Sequence, residues 1–318
     1  MNKTTERIMK VLSLKGFVSP SARISKLNNQ GLSGEVYDIV DSGMRNFILK
    51  IYRMDNSSKV IKEMKVYQYL SNLGVPVPKV YLADAEGKMA NKPFLLIQKL
   101  EGEDFSSLIK KGKGREFVES LATSLHKLHS TQPSNLDLKL EKKSFKDEID
   151  ELKILAIVLL AFSASPRTFR RVYKALFEIS KTRAKRTSLA LLHGDCGPDN
   201  TVYCDGTVYL IDLESAYIGD PASDIGYTYH SIKFNALDEP GLADHFVKTY
   251  EKLHGKIANW KIYKRLAALK LAIFLKFLGN INPLSIIMLG LKNSIKILAL
   301  RKHLNRFAEY CLKYAEKN

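Results

Sequence analysis

LLHGDCGPDN at 191–200, followed after a short hairpin by VYLIDLES at 208–215, decides how this chain is read. Asp195 precedes Asn200 by five residues, and Asp212 closes the apolar run VYLI. Phosphoryl transfer asks for this set: one carboxylate to address an attacking hydroxyl, and an amide with a second carboxylate to hold Mg²⁺ on nucleotide phosphates. Glu214 is placed to help through a second metal or a bound water. His193 reads as a hydrogen-bonding strut of the loop, because Asp195 already fills the role of base. Asp224, in GDPASDIG at 219–226, reads as a tie from a helix N-terminus back to the loop. The competing reading is a set of solvated turns and caps; the elements upstream weigh against it.

The first of these is NNQGLSGEVY at 28–37. Gly31 and Gly34 let backbone approach phosphates, and Ser33 can bond their oxygens. An ordinary hairpin turn explains the loop equally well. Lys50 follows in NFILKIY, where period two puts it with Ile48 and Tyr52, and Phe47, Leu49 and Ile51 on the other face. A lysine in so apolar a strand needs a partner. Glu63 offers one, on a helical stripe with Val60, Tyr67 and Leu70. Two snorkelling surface residues are the alternative. The order glycine loop, strand lysine, helix glutamate favours a Lys–Glu pair over nucleotide phosphates.

Alternation and turn residues predict strands at ISKL, EVYDIV, NFILKIY, VPVPKVYLAD and KPFLLIQKL, with a helix over 57–72 carrying Val60, Ile61, Met64, Tyr67 and Leu70 as its stripe. That is a small α+β lobe in the order βββαββ, ending near Leu100. EGEDFSSLIKKGKGR reads as a connector. Beyond it the spacing predicts helices over 115–130, 145–163, 167–184, 222–233, 241–254, 259–278 and a broken 284–316, interrupted by a hairpin at 201–213. The expected fold is α+β and bilobal: residues 1–100 as a nucleotide-binding lobe with a small antiparallel sheet, and residues 101–318 as a helical catalytic and acceptor-binding lobe.

The 318 residues are 45% hydrophobic, enough for a large core. The three cysteines are too scattered for a disulfide framework or a zinc site. The start, MNKTTERIMKVLSLKG, lacks the apolar region of a signal peptide. The apolar runs at 154–162 and 266–290 are too short or too broken to span a bilayer. A cytoplasmic protein is expected.

HGDCGPDN (193–200), IDLE (211–214) and GDPASD (219–224), with Gly31/Ser33/Gly34, Lys50 and Glu63 ahead of them, resemble the aminoglycoside phosphotransferase and choline-kinase-like branch of the protein-kinase fold. The resemblance spans roughly residues 20–310. It departs from protein kinases in reading HGD rather than HRD, IDLE rather than DFG, and in lacking an APE-like anchor. It implies an ATP- or GTP-dependent, Mg²⁺-dependent transfer to a hydroxyl of a small molecule. It also implies a purine-binding hinge at Gln98–Lys99–Leu100, structural roles for His126 and His129, and an acceptor pocket built by the helical insertion and the C-terminal helices.

Charge bears on the acceptor. The chain carries a formal +17, and residues 241–318 hold 15 Lys/Arg against four Asp/Glu. A polycation or choline would want carboxylates and aromatics. A neutral or anionic acceptor therefore fits better: a sugar, sugar phosphate, nucleoside or lipid headgroup. Solvated lysines on long helices give the same excess, and the two readings stand level. An aminoglycoside or choline/ethanolamine phosphotransferase is the runner-up. From another class, basic helices near Tyr173, Phe177 and Tyr263 suggest RNA or membrane binding. No nucleic-acid motif supports the first, and the helix over 259–278 is apolar around most of its circumference, which suits burial. A catalytically dead nucleotide binder is disfavoured by Lys50, Asp195, Asn200 and Asp212 together.

Overall fold

A computed structural model of the chain describes residues 3–27, 34–41, 43, 45–133, 138–160, 165–280 and 294–317. Its N-terminal third is an antiparallel five-stranded sheet in the order β1-β2-β3-β5-β4. The strands are β1 (Arg23–Lys26), β2 (Gly34–Val40), β3 (Phe47–Tyr52), β4 (Val80–Asp84) and β5 (Phe94–Gln98). Period two gives this sheet two apolar faces. Phe47, Leu49 and Ile51 turn to one side, where Ile8 and Leu12 of helix α1 (Lys3–Leu14) cover them. Tyr52, Leu95 and Ile97 turn to the other, against Val66, Tyr67 and Leu70 of helix α2 (Ser57–Asn72). The N-terminal amphipathic segment is therefore a cover for the sheet.

The buried stripe of α2 is Val60, Glu63, Val66, Tyr67 and Leu70. Ile61, expected in that stripe, lies on the exposed side. It sits about 100° from Val60 on the helix, which carries it past the edge of the contact.

The connector after β5 contains a helix of its own, α3 (Phe105–Lys110), begun by Asp104 accepting from the Ser107 N–H. Helix α4 (Gly114–His129) leads to α5 (Phe145–Leu160) and α6 (Pro166–Ser180). Ser165 caps α6 ahead of a first-position proline. The 190–219 segment follows on short elements: β6 (Ala190–Leu192), the hairpin β7 (Thr201–Cys204) and β8 (Thr207–Leu210), and β9 (Tyr217–Gly219), which pairs with β6. The β6–β9 pair was not expected from three-residue segments. Helices α7 (Pro221–Asn235), α8 (Leu242–His254), α9 (Trp260–Asn280) and α10 (Ser294–Glu316) complete the chain. The expected extension of the fifth helix past 160 and the start of the last before 294 lie outside the described residues.

One core runs from the sheet and α2 through α4 to α7 and α8, joining Leu95 and Tyr67 to Phe117, Leu210 and Phe246. A second joins α5, α6, α9 and α10. Backbone bonds also tie the β7–β8 hairpin to the N-terminal part and to the connector. The Leu210 N–H donates to Pro76 O at 2.9 Å, and Glu103 and Tyr203 exchange bonds at 2.8 and 3.1 Å. Among the described residues, no helix is long and apolar enough to cross a membrane.

Candidate active site

Lys50 projects from β3 toward α2. Its ammonium donates to Glu63 Oε1 at 2.7 Å and Oε2 at 2.9 Å, and to Asp212 Oδ1 at 2.9 Å. The Glu63 side chain is 0% exposed, that of Lys50 14% and that of Asp212 37%. Tyr52, two residues from Lys50 on the same face, gives its hydroxyl hydrogen to Glu63 Oε2. Burial works against the Lys50 charge, but Glu63 and Asp212 outweigh it and hold the ammonium above its ordinary pKa.

Asp212 sits between the two parts of the chain in a left-handed conformation, φ 63° and ψ 58°. A non-glycine residue there is uncommon and needs support. Its N–H donates to Tyr67 OH at 2.8 Å, and its carboxylate meets Lys50. Glu214, two residues on, pairs with Lys59 of α2 at 3.8 Å.

Asp195 and Asn200 share a tight turn between β6 and β7. The Asn200 amide nitrogen donates to the Asp195 carbonyl at 2.8 Å and to its carboxylate at 3.1 Å. That commits the nitrogen and leaves the amide oxygen for a hard cation. Asp212 likewise keeps a second carboxylate oxygen besides the one on Lys50. Tyr227, on α7, lies behind this turn; burial first, and then the charge of Asp195, raise the phenol's pKa.

Asp224 holds the loop from behind. It is buried in the first turn of α7 and accepts from the His193 N–H at 2.7 Å, the Gly194 N–H at 2.9 Å and His129 Nε2 at 3.1 Å. Burial alone would raise its pKa; the bonds and charge of His129 and the backbone N–H of His193 reverse that and lower it. His129 Nδ1 pairs in turn with Tyr250 OH at 2.8 Å. His193 donates through Nε2 to the Ile211 carbonyl at 2.9 Å, tying the loop to the residue before Asp212. Gly194 has φ 83°, and a Cβ there would lie 2.4 Å from the Ser215 carbonyl oxygen, so only glycine fits.

The structure thus brings Lys50, Glu63, Asp195, Asn200, Asp212, His193 and Asp224 into one neighbourhood. Gly31 and Ser33 lie outside the described residues. Gly34 opens β2, where a Cβ would fall 2.1 Å from Ile51 O, so strand packing alone requires its glycine. At Gln98–Lys99–Leu100, the Gln98 N–H donates to Lys79 O at 2.8 Å and the Lys99 N–H to Asn46 O at 3.5 Å. Among the described residues the Leu100 N–H has no such partner. The supporting tyrosines 52, 67 and 227 were missed in the sequence. Each lies two to four residues from a named site residue on the same face, a signal masked by the fact that tyrosines at that spacing are ordinary core.

A cavity of about 420 Å³ opens beside Gly194, Asp224 and Tyr227, walled by α5, β9 and α9. Its charges are mixed: Lys62, Lys143 and Lys270 face Glu141, Glu148 and Glu151. Among the described Lys/Arg of residues 241–318, Lys270 alone lines this cavity. Arg171 binds Glu309 and Glu316, Lys276 binds Glu309, and Arg265 donates to the Ala315 carbonyl. The net charge of that region is therefore a poor guide to the pocket.

A small antiparallel sheet whose lysine reaches across a helix glutamate to a left-handed aspartate, above a loop Asp–Asn turn, defines a protein-kinase-like fold. The profile of the phosphotransferase enzyme family matches residues 25–264, and the chain belongs to that family; it is a phosphotransferase. Among solved structures it is similar to a Ralstonia eutropha protein assigned to the aminoglycoside phosphotransferases, with 18% identity, TM-score 0.73 and 98% of each chain covered. It is also similar to choline kinase from Cryptosporidium parvum, with 13% identity, TM-score 0.68, and 98% of this chain and 95% of that one covered. A third is an aminoglycoside phosphotransferase solved in ternary complex with AMP-PNP and hygromycin B, with 14% identity, TM-score 0.64, and 95% and 97% covered. No curated protein matches the chain in sequence.

Proposed function

We propose that the chain is a small-molecule kinase that transfers the γ-phosphate of ATP or GTP to a hydroxyl group of a small acceptor with the help of Mg²⁺. The observation that carries this reading is the Lys50 ammonium bonded at once to Glu63 and to Asp212, 162 positions away. A purely structural ion pair needs no third, half-exposed carboxylate in a left-handed backbone conformation.

In this reading residues 1–100 and 101–318 form the two sides of the nucleotide cleft. Lys50, fixed by Glu63, meets the nucleotide phosphates, with the 31–34 loop, including Gly31, Ser33 and Gly34, over them. The Gln98 carbonyl and the Leu100 N–H bond the purine. The oxygens of Asn200 and Asp212 hold Mg²⁺, which supplies charge to the phosphates, and Glu214 contributes through a bound water. The two hard oxygen donors suit that ion, and among the described residues no cluster of three or more His, Cys, Asp or Glu would hold a metal without the nucleotide. Asp195, steadied by Asn200, accepts the acceptor hydroxyl's hydrogen bond and its proton. Asp224, His129 and His193 hold the loop in place. Reduced thiols and nucleotide use fit a cytoplasmic location.

ATP and GTP consumption with Mg²⁺ across a panel of hydroxylated acceptors tests the reading. Asp195→Ala is expected to abolish turnover while keeping nucleotide binding, and Asp212→Ala to weaken Mg²⁺-nucleotide binding as well. Turnover within a few-fold of wild type in Asp195→Ala would remove the base assignment.

A further inference from the structure

Helices α5 and α6 carry an outward side that the candidate site does not use. Ile154, Ile157 and Val158 follow the i, i+3, i+4 spacing of one helix face, and each is more than half exposed. Among the described residues no other helix shows three such side chains on one face. Neighbouring exposed aliphatics on a folded chain mark a contact surface. The opposite side of α5, with Ile149, Leu152 and Ala156, belongs to one buried cluster with Val172, Leu176 and Ile179 of α6 and with Leu269 and Ile273 of α9. The helix over 259–278, apolar around most of its circumference, is largely buried as α9, so the apolar face left in water lies on α5 instead.

Beside that face runs a basic stripe. Arg167, Arg170, Lys174 and Phe177 of α6 recur at steps of three and four and are all exposed. The Tyr173 hydroxyl of α6 donates to the Lys153 carbonyl of α5 at 3.2 Å, so the two helices lie side by side. Each sets its buried side on α9, and their opposite sides therefore look outward together. Residues 165–186 hold eight Lys/Arg and one acid, Glu178. Arg171, turned toward α10, binds Glu309 and Glu316, and Lys181 takes Glu178. Arg167, Arg170 and Lys174 form no ion pair with a described residue. The acids of α5 come earlier on that helix, where Asp150 pairs with Lys153 at 2.8 Å and Glu151 with Lys143 at 2.6 Å.

An aliphatic face beside a row of unpaired cations calls for a partner that is apolar and negatively charged at once. RNA would take the basic stripe but would leave the aliphatics in water, since they offer bases no flat face to stack on. A second copy in two-fold pairing would set one basic stripe against its like. The surface of an anionic bilayer meets both demands. We propose that the outward side of α5 and α6 docks on anionic phospholipid bilayers. Ile154, Ile157, Val158 and Phe177 reach the acyl boundary, and Arg167, Arg170 and Lys174 lie among the headgroup phosphates. The contact is peripheral, because among the described residues no helix is long and apolar enough to cross a membrane. None of these side chains lines the cavity beside the catalytic loop, so the docking surface stands or falls apart from the kinase reading.

The test is co-sedimentation of the full chain with vesicles of phosphatidylcholine alone and of phosphatidylcholine with about one-third phosphatidylglycerol, at about 0.1 M salt. Binding to the anionic vesicles about tenfold tighter or more is expected. Arg170→Glu/Lys174→Glu should weaken it by about tenfold or more, and so should Ile154→Ser/Ile157→Ser. Both variants should melt near wild type, because the substituted side chains are exposed. No binding to anionic vesicles, equal binding to both kinds, or a loss in only one of the two variants overturns the proposal, since a bare polycation or a bare apolar patch would then explain the result. Binding of poly(U) RNA through Arg170 and Lys174 without vesicle binding gives the face to RNA and overturns it. A dimer in sedimentation that Ile154→Ser/Ile157→Ser dissociates, again without vesicle binding, gives the face to a second copy and overturns it too.

Discussion

Replacing Lys50 by Met strands a carboxylate. Met keeps the length and apolar body of the lysine stem but removes the charge that answers Glu63, whose side chain is 0% exposed. At about 3 Å and an effective dielectric constant of about 20, each close pair is worth roughly 5 kcal/mol before desolvation. Removing one partner of a buried pair typically costs about 3–5 kcal/mol, because the other charge is left unpaired. Glu63 retains the Tyr52 hydroxyl, so the expected loss is at the low end, about 3 kcal/mol. Glu63→Gln should cost less, about 1–2 kcal/mol, because Lys50 still meets Asp212 and some water. The Lys50→Met/Glu63→Gln double variant should therefore be more stable than the sum of the singles by about 2 kcal/mol. Urea unfolding followed by circular dichroism, with fluorescence of the single tryptophan, Trp260, as a second probe, measures all four corners of the cycle. A Lys50→Met loss below about 1 kcal/mol, or strict additivity in the double variant, would refute the claim that this pair is a buried, mutually dependent unit.

Three further outcomes are expected. Gly194→Ala forces φ 83° on an alanine and pushes its Cβ to 2.4 Å from the Ser215 carbonyl oxygen; a stability loss of roughly 2–4 kcal/mol with a fall in kcat of at least about 100-fold is expected, and near-normal kinetics would show that the loop tolerates another path. Asp224→Asn leaves an NH₂ facing backbone N–H or His129 and should cost about 2–4 kcal/mol at pH 7. The Asp224 pKa is lowered in the fold, so its contribution is present above the ordinary value of 3.8 and is lost as pH falls through the lower folded value; the variant should show a shallower acid limb in an unfolding-versus-pH series. Cys196, a tempting target for inhibition by alkylation from its place in HGDCGPDN, is fully buried with its thiol pushed well up by burial; iodoacetamide at pH 7.5 should leave the native enzyme unlabelled at this position by mass spectrometry, and rapid labelling would mean the loop opens.

The sequence was legible where chemistry is local. The helix over 57–72, the five strands of the small sheet and the spacing of Asp195, Asn200 and Asp212 follow from periodicity, turn residues and motif order, because period and spacing are properties of neighbouring residues. The Lys50–Glu63 pair was legible for a related reason: a charge on each of two apolar faces, 13 positions apart, must find an answer when buried. The short α3, the β6–β9 pair and the exposed side of Ile61 were less legible, since segments of three to six residues carry little pattern and burial at a helix edge depends on the neighbour.

Fold class, the family resemblance and the spacing of Asp195, Asn200 and Asp212 belong to the amino-acid sequence by itself, because they rest on local periodicity and on residue types at fixed separations. The tertiary structure alone decided which charges meet. It spends Arg171, Arg265 and Lys276 on the C-terminal helices' own acceptors, and it brings Tyr67 to Asp212 and His129 to Asp224 from distant helices. It also turns Arg167, Arg170 and Lys174 outward beside the exposed Ile154, Ile157 and Val158. Composition counts charges over the whole chain, whereas electrostatic interaction falls with distance and depends on burial, so only the folded arrangement says which charges an acceptor meets.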